Sequence, residues 1–199
     1  CTFSLHPLKT ITTGEGGIVT TNNKILFDKM KMIRSLGIKR SNKKHWEYDV
    51  LLKGLNLRLT DFQSALGLSQ LKKINKFIQK RKKISLKYNE EIKKIKQISL
   101  PKFKNNYKSS HHLYIIHLQK QNMNLKEKMI KFMLKNRVML QYHYIPIYKF
   151  KIFQDKYINK NAEIYYNNAI SLPIYYSLHE TDQNLIIRLL KKFFKLELS

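Results

Sequence analysis

The chain opens with two short apolar stretches that are separated by a glycine-rich turn. Residues 2–5 and 17–21 are rich in residues that favour a pleated β-strand. Gly14, Gly16 and Gly17 lie between or at the edge of these stretches and permit backbone angles that other residues resist. The opening segment is therefore predicted to be a pair of strands joined by a loop.

Lys9 lies in this loop, just past the end of the first predicted strand. Pro7 fixes its own φ and pushes His6 towards an extended conformation, so that Lys9 is carried on a stiff tether. A lysine that forms a bond to one carbonyl group needs such a mounting, because a flexible amine would not hold it in place. A solvated lysine at the tip of a hairpin is the alternative, and chemistry alone favours it in a chain this rich in lysine.

Residues 4–17 read Ser-x-His-Pro-x-Lys-x-Ile-Thr-Thr-Gly-Glu-Gly-Gly. This string closely resembles the lysine segment of the DegT/DnrJ/EryC1/StrS sugar aminotransferases, which are fold-type I enzymes that use pyridoxal 5′-phosphate (PLP). The resemblance implies that Lys9 binds PLP covalently and is the catalytic residue, and that Ser4 contacts the cofactor phosphate. A motif of this length is far more specific than a lone glycine-rich loop.

A helix is predicted to begin at Thr60, where Gln63 three residues later completes a capping box. The helical pattern continues to about residue 94, which corresponds to roughly 50 Å. The apolar positions of this pattern are Phe62, Leu66, Leu71, Ile74, Phe77 and Ile78. A helix of this length is typical of a bridge between two domains.

The residues that lead into this helix resemble the family's Asn-x-Arg-x-Thr-Asp…Ala-x-Gly-x-x-Gln-Leu signature. The matching residues are Asn56, Arg58, Thr60, Asp61, Ala65, Gly67, Gln70 and Leu71. The resemblance implies that Asn56 reaches the PLP phosphate of a partner subunit, which requires a homodimer with a shared active site, and Arg58 is predicted to contact substrate. The alternative for Asn56 or Arg58 taken alone is a solvent-exposed residue just before a capped helix.

Other elements follow from periodicity and capping residues. We predict a helix over residues 24–36 that Gly37 ends, a polar loop over residues 38–53, and strands at 112–118 and 138–144. Further helices are predicted at 125–135, at 162–168 and from a cap at Glu180 or Thr181 to residue 195, with an extended piece at 170–173. The inward faces are predicted to carry Met129, Phe132 and Met133 in the first of these helices, and Leu185, Ile186, Leu189, Leu190 and Phe193 in the last.

Two further motifs lie in the last third of the chain. Residues 141–146, Gln-Tyr-His-Tyr-Ile-Pro, resemble the family's His-Tyr-x-Pro segment, and residues 171–175 resemble its Ser-Leu-Pro-x-Tyr/Phe segment. The resemblance implies that His143 and Tyr144 lie beside the substrate. Strand packing of alternating aromatic residues is the alternative for His143. Seven histidines and one cysteine show no metal-binding spacing, so no metal is predicted.

The four motifs together imply an α/β, fold-type I PLP-dependent transferase, of which this chain is the C-terminal half. Residues 1–59 are predicted to end the large PLP-binding domain, residues 60–94 to form the bridging helix, and residues 95–199 to form a small α+β domain with a short antiparallel sheet. In the family, the other half supplies the acidic partner of the pyridine nitrogen and the ring that stacks on PLP. The chain alone is therefore expected to be inactive and prone to aggregation, with its first forty or so residues mobile.

The implied reaction is transamination of a nucleotide-linked keto sugar, with an amino acid such as glutamate as donor. Within the family, residues 66–73 and the lysine motif most resemble the pseudaminic-acid pathway members, which aminate a UDP-linked 4-keto-6-deoxy-N-acetylhexosamine. Perosamine-type and bacillosamine-type enzymes are the alternatives. Sugar dehydratases of the same fold carry histidine in place of the lysine, and Lys9 therefore speaks against them.

The net charge of +26, from 39 Lys+Arg against 13 Asp+Glu, raises the alternative of a non-enzymatic module that binds nucleic acid. The lysines are scattered along every segment, and neither zinc-finger spacing nor an RNA-binding signature is present. Solvated helix faces explain this pattern better, and such a surface would also attract an anionic nucleotide sugar. No apolar run approaches the ~20 residues of a membrane span, and the single cysteine fits a cytoplasmic protein.

Overall fold

The computed structural model describes residues 1–101, 107–119, 123–153 and 158–197. They form two compact units, residues 1–75 and residues 76–199, which we call unit 1 and unit 2. The prediction of large-domain, bridging-helix and small-domain segments stays a prediction, because the contacts within each unit do not test those boundaries.

Two antiparallel hairpins and two helices make up most of unit 1. Strand β1, Thr2–Ser4, pairs with β2, Gly17–Val19, as the β-favouring residues of the opening segment predict. Helix α1 runs over Lys24–Ile33, and its N-cap residue Asn23 accepts a hydrogen bond from the Leu26 amide.

The loop predicted over residues 38–53 is wrong, since this stretch forms a second hairpin. Strand β3, Ile38–Arg40, pairs with β4, Tyr48–Val50. The amide of Ser41 donates to the Glu47 carbonyl at 2.9 Å and closes the end of the hairpin. Both strands are largely exposed, so their sequence lacks the apolar alternation that would reveal a half-buried strand.

The long helix predicted from Thr60 is divided in two. Helix α2 covers Asp61–Leu71 with the expected capping box, and α3 covers Ile74–Ile92. The amide of Lys73 donates to the Gln70 carbonyl at 2.9 Å, three residues back, and this tighter turn separates the helices. No glycine or proline marks the break, so the sequence pattern runs through it unchanged.

Unit 1 buries very few side chains. Its buried residues are Leu5, Thr13 and Gly37. Phe62, an apolar position of the predicted helix, is 90% exposed, and Leu66 and Leu71 of the same helical pattern are also exposed. The apolar positions of this pattern are therefore not buried within α2.

Unit 2 is built on a three-stranded antiparallel sheet in the order β5-β6-β7. The strands are Ile98–Ser99, Tyr114–Leu118 and Ala169–Leu172. Register pairs Ile98 with Leu118 and Ile116 with Ile170. Two 3₁₀ turns, Ile147–Lys149 and Lys151–Phe153, follow α4.

Helices cover this sheet and enclose one hydrophobic core. They are α3, α4 over Met123–Lys135, α5 over Lys160–Asn168 and α6 over Glu180–Leu196. The most deeply buried side chains of the core are Tyr88, Ile92, Ile116, Met129, Met133, Ile170 and Leu190. The predicted inward faces of α4 and α6 are confirmed, although Phe132 and Leu185 are only partly buried.

The strand predicted over residues 138–144 is wrong. Val138 and Leu140 are buried, as their alternation indicates, but an isolated bridge between Gln141 and Ser171 is the β-pairing of this stretch in the described chain. Alternation reports which side chains are buried, and it does not require that the neighbouring backbone groups pair.

Buried polar groups fix the chain just after β7. The Arg81 guanidinium donates to the carbonyls of Ile174 and His112 at 2.9 and 3.1 Å. The Tyr88 hydroxyl donates to the Pro173 carbonyl at 2.9 Å. Because buried carbonyls are costly to leave unpaired, these bonds hold the segment that begins at Ser171 in one place.

Candidate active site

The lysine loop, which we define as residues 5–16, is closed by hydrogen bonds across its base. The Leu5 amide donates to the Gly16 carbonyl at 2.9 Å, and the Leu5 carbonyl accepts from the Thr13 amide and the Thr12 hydroxyl at 3.1 and 2.8 Å. The Thr12 hydroxyl also accepts from the Gly14 amide at 2.9 Å. Gly14 has a φ of 81°, in the left-handed region that favours glycine. The two threonines therefore hold the loop shut.

Lys9 is fixed by its backbone within this loop. Its amide donates to the His6 carbonyl at 2.9 Å. The Leu8 amide donates to Nδ1 of His6 at 3.2 Å, and Nε2 of His6 lies 3.7 Å from the Glu15 carboxylate. The Lys9 side chain is half-buried and makes no hydrogen bond or ion pair with any described residue. The backbone at Lys9 is therefore hydrogen-bonded within the loop, while its amine makes no such bond to a described residue and can bind a ligand.

Ser4 ends β1 immediately before the loop. Its hydroxyl is exposed and lies 3.4 Å from the His6 amide, from which it accepts a long hydrogen bond. A hydroxyl at this position can donate to an anion such as phosphate.

The second motif packs directly against the lysine loop. Nε2 of Gln63, the capping-box residue of α2, donates to the Glu15 carbonyl at 3.0 Å. A Cβ added to Gly67 would lie 2.8 Å from Cγ2 of Thr13, and one added to Gly16 would lie 2.7 Å from Cδ2 of Leu59. The two glycines allow α2 and the residues just before it to approach the loop closely.

Asn56 and Arg58 lie on the extended stretch that leads to α2. Asn56 forms an isolated bridge with Ser35, and the Leu57 amide donates to the Arg34 carbonyl at 2.9 Å, which ties the stretch to the end of α1. Both predicted side chains are exposed, and neither bonds Lys9 or Ser4 within the described residues. The roles of Ser4, Lys9, Asn56 and Arg58 stay predictions.

His143 and Tyr144 lie in unit 2. Nδ1 of His143 is 2.8 Å from the hydroxyl of Ser171, and the ring of Tyr144 meets the His143 ring edge-on at 4.6 Å. Tyr144 is exposed, whereas Ser171 is buried. The amide of Gln141 donates to the Ser171 carbonyl at 3.2 Å. The structure thus joins the third and fourth motifs, and the roles of His143 and Tyr144 in substrate binding stay predictions.

Sequence reasoning missed three of these residues. Thr12 and Thr13 lie inside the first motif, which is a signal that was available, but their bonds to Leu5 and Glu15 depend on how the loop closes. Ser171 begins the fourth motif, and its pairing with His143 spans 28 residues. No local pattern predicts a contact at that separation.

The side chains of the lysine loop suit PLP. A half-buried primary amine can bond the aldehyde carbon of the cofactor, and a hydroxyl on the same hairpin can bind its phosphate. Space around Gly14 is open, since a Cβ there would meet no atom within 4 Å. The described residues hold no group of histidine, cysteine and carboxylate side chains that could bind a metal. Within those residues, none of the helices is both long and apolar enough to cross a bilayer.

Residues 1–191 match the profile of the DegT/DnrJ/EryC1/StrS aminotransferase family. The chain is similar to a UDP-4-amino-4,6-dideoxy-N-acetyl-beta-L-altrosamine transaminase of Helicobacter pylori, with 39% identity over 203 residues, 98% of this chain and 53% of that protein. A Campylobacter jejuni protein of the same name is 37% identical over 188 residues, 92% of this chain and 49% of the relative.

A solved structure of an aminotransferase also matches this chain. Helicobacter pylori PseC, described as an aminotransferase involved in the biosynthesis of pseudoaminic acid, superimposes with a TM-score of 0.91 at 37% identity, over 98% of this chain and 53% of PseC. The chain therefore spans about half the length of the relatives that it matches. The predicted fold class, a fold-type I aminotransferase fold, is confirmed.

Proposed function

Because the chain belongs to the DegT/DnrJ/EryC1/StrS aminotransferase family, we propose that it serves a PLP-dependent enzyme that aminates a nucleotide-linked keto sugar. The substrate proposed is a UDP-linked 4-keto-6-deoxy-N-acetylhexosamine, as the names of the Helicobacter and Campylobacter relatives favour. The donor proposed is an amino acid such as glutamate. The product would enter a pathway to a nonulosonic acid of the pseudaminic type.

One observation carries this proposal. The lysine loop and the second motif, which are 48 residues apart at Glu15 and Gln63, are joined by a hydrogen bond of 3.0 Å. Gly16 and Gly67 permit the close packing on either side of this bond. Two motifs of one family that lie in contact support a single site better than two unrelated loops would.

Lys9 has two proposed tasks. Its Nζ would bind PLP, which when bound supplies the electron sink for negative charge at the donor Cα. As a free amine, the same Nζ would take the proton from the donor Cα as general base and give it back as general acid. The hydrogen bond from the Lys9 amide to the His6 carbonyl supports these tasks, because it fixes the backbone from which the side chain extends.

Other residues would bind and orient. The Ser4 hydroxyl would donate to the cofactor phosphate from the same subunit, and Asn56 would reach the phosphate bound in the partner, so that the active unit is a homodimer. Arg58, His143 and Tyr144 would contact the substrate. His143 is already oriented by Ser171 at 2.8 Å. The cytoplasmic location proposed for the enzyme rests on low cysteine use, with exposed Cys1 the single cysteine.

The test uses a chain of the relatives' length that contains these 199 residues, below called the full-length enzyme. Purified with PLP, it should convert the UDP-linked 4-keto sugar and glutamate to the amino sugar and 2-oxoglutarate, as followed by mass spectrometry. Lys9→Ala should lower turnover by roughly 10³-fold or more, since its acid–base role is lost. The matched control is Lys29→Ala, an exposed lysine on α1. A Lys9→Ala enzyme with turnover equal to the control would refute the proposal.

A further inference from the structure

Lys126 is a buried cation that the proposed chemistry does not use. It lies in the first turns of α4, and only 2% of it is exposed. Its Nζ lies 5.0 Å from the ring centroid of Tyr142 and 4.7 Å from that of Tyr166. Burial lowers the pKa of its amine to about 8. Such a residue is costly to place inside a protein unless specific partners compensate for its lost hydration.

The partners of Lys126 are aromatic faces and a carbonyl. No carboxylate pairs with it in the described chain. Glu163, three residues before Tyr166 on α5, pairs instead with Lys149 at 2.7 Å and accepts from the Tyr148 hydroxyl at 2.8 Å. Aromatic faces attract a cation most strongly where water is excluded. This arrangement therefore fixes the position of the amine through two rings at once.

Lys126 also holds the C-terminal end of α5. Its Nζ donates to the carbonyl of Tyr166, which lies in the last turn of that helix. Carbonyls of a last turn have no later helical amide to pair with, and the helix dipole favours a positive charge there. The charge of Lys126 thus contributes to fixing where α5 ends.

Both groups that Lys126 holds lead directly to the His143–Ser171 hydrogen bond. Tyr142 is the residue before His143. Helix α5 passes without an intervening residue into β7, Ala169–Leu172, which carries Ser171. Each partner of the 2.8 Å contact is therefore linked through the chain to a group that the same buried amine contacts.

We propose that Lys126 is a positioning residue that keeps the His143 imidazole on Ser171 and so fixes the orientation in which His143 meets the nucleotide sugar. The substrate role of His143 rests on the proposed function. The orienting role of Lys126 rests only on the contacts within unit 2.

The test compares variants in the full-length enzyme. Lys126→Met keeps the length of the side chain and removes its charge and donors, and Lys126→Arg keeps a cation. Lys131→Met, at an exposed position of the same helix, is the control. Tyr142→Leu removes one aromatic face at a residue that is 42% exposed, so it remains informative even if Lys126→Met does not fold.

Two readouts separate positioning from general stability. The first is the imidazole nitrogen signal of His143 in histidine-labelled protein, assigned by its loss in His143→Gln. Lys126→Met and Tyr142→Leu should move it in the direction that Ser171→Ala does, whereas Lys126→Arg and Lys131→Met should leave it in place. The second is kinetic: KM for the nucleotide sugar should rise roughly tenfold with kcat nearly unchanged, which corresponds to the loss of a desolvated cation–π contact.

The outcomes are distinct. A His143 signal and a KM in Lys126→Met and Tyr142→Leu that equal those of Lys131→Met would overturn the positioning role. A wild-type enzyme that does not transaminate the sugar would refute the proposed function, while the histidine signal would still decide whether Lys126 orients His143.

Discussion

Lys9 owes its placement to main-chain bonds that lie around it in the loop. The carbonyl of His6 accepts a hydrogen bond from the Lys9 amide at 2.9 Å. The Leu5 carbonyl accepts hydrogen bonds from the Thr12 hydroxyl and the Thr13 amide. The side chain itself is not tied to any described residue by a hydrogen bond or ion pair. A lysine whose backbone is fixed and whose amine makes no hydrogen bond can bind a ligand without first breaking a contact within the protein.

Asn56 offers the residue-scale test of assembly. If its amide reaches the phosphate in a partner subunit, Asn56→Ala should speed the loss of PLP on dialysis by roughly tenfold, because a hydrogen bond to a charged group is lost. Lys9 would remain able to bind the cofactor. The exposed Asn22→Ala variant is the matched control. Sedimentation of a fully active monomer would contradict the shared site.

The restricted backbone next to Lys9 could be predicted from the sequence, because Pro7 limits its own φ and the conformation of His6. The partner of His143 could not be predicted in this way. That partner, Ser171, is 28 residues away, and the contact follows from the antiparallel bridge between Gln141 and Ser171. The restrictions that a proline or a helix-capping residue imposes act on adjacent residues and can be read from the sequence. A contact between side chains of two distant segments depends on the tertiary structure.

At the scale of elements, the packing of α2 on the lysine loop makes a specific prediction about Gly67. An alanine there gains about 1 kcal/mol of helix propensity, but its Cβ would lie 2.8 Å from Cγ2 of Thr13. Overpacking costs about 1–3 kcal/mol, so Gly67→Ala should destabilise the full-length enzyme in urea unfolding.

The double variant supplies the control. Thr13→Ser removes Cγ2 and keeps the hydroxyl that donates to the Glu15 carbonyl. In that background Gly67→Ala should stabilise by about 1 kcal/mol, since only the propensity gain remains. The same effect of Gly67→Ala in both backgrounds would show that the contact between α2 and the loop is not present.

Glu91 links α3 to α6 and predicts an acid-dependent loss of stability. Hydrogen bonds from Lys191 and Lys94 lower the pKa of Glu91 from the ordinary 4.5 to about 2. Because the folded pKa lies below the unfolded one, the contribution is complete above about pH 4.5 and is lost as the pH falls towards 2.

Urea unfolding at several pH values checks this. At pH 7, Glu91→Gln should unfold at a lower urea concentration than the wild type, and the difference should vanish near the folded pKa of about 2. Glu90→Gln, at the neighbouring exposed position, controls for the change in net charge. A difference that persists unchanged in acid would mean that Glu91 does not act through its carboxylate.

Among the helices and strands, apolar spacing predicted buried helix faces but did not predict exposed strands. The faces of α4 and α6 were predicted because Met129, Met133 and Leu190 recur at helical spacing and are buried. The β3–β4 hairpin was missed because both of its strands are exposed. The turn between α2 and α3 was missed because it rests on one hydrogen bond from the Lys73 amide to the carbonyl three residues back, and no glycine or proline marks it in the sequence.

At the scale of the molecule, the two units differ in how much each one buries. Unit 2 encloses a continuous core, while unit 1 buries Leu5, Thr13 and Gly37 and leaves large apolar side chains such as Trp46 and Phe62 exposed. Local stability follows buried apolar contact. The 199-residue chain is therefore expected to be ordered chiefly in unit 2.

Amide exchange followed by mass spectrometry checks this expectation. Peptides from β6 and α6 should be protected, and peptides from residues 3–21 should exchange rapidly, because few of their neighbours are buried. The peptides of unit 2 serve as the internal control. Strong protection over residues 3–21 in the isolated chain would contradict the account of unit 1.

The most direct test of the central claim is chemical trapping at Lys9. The full-length enzyme is incubated with PLP, reduced with borohydride and digested, and the modified peptide is sequenced by mass spectrometry. The account predicts one stoichiometric phosphopyridoxyl group on Lys9 and none on the control Lys29, although lysine is abundant in this chain. Modification spread over many exposed lysines, with Lys9 no more labelled than Lys29, would contradict the account.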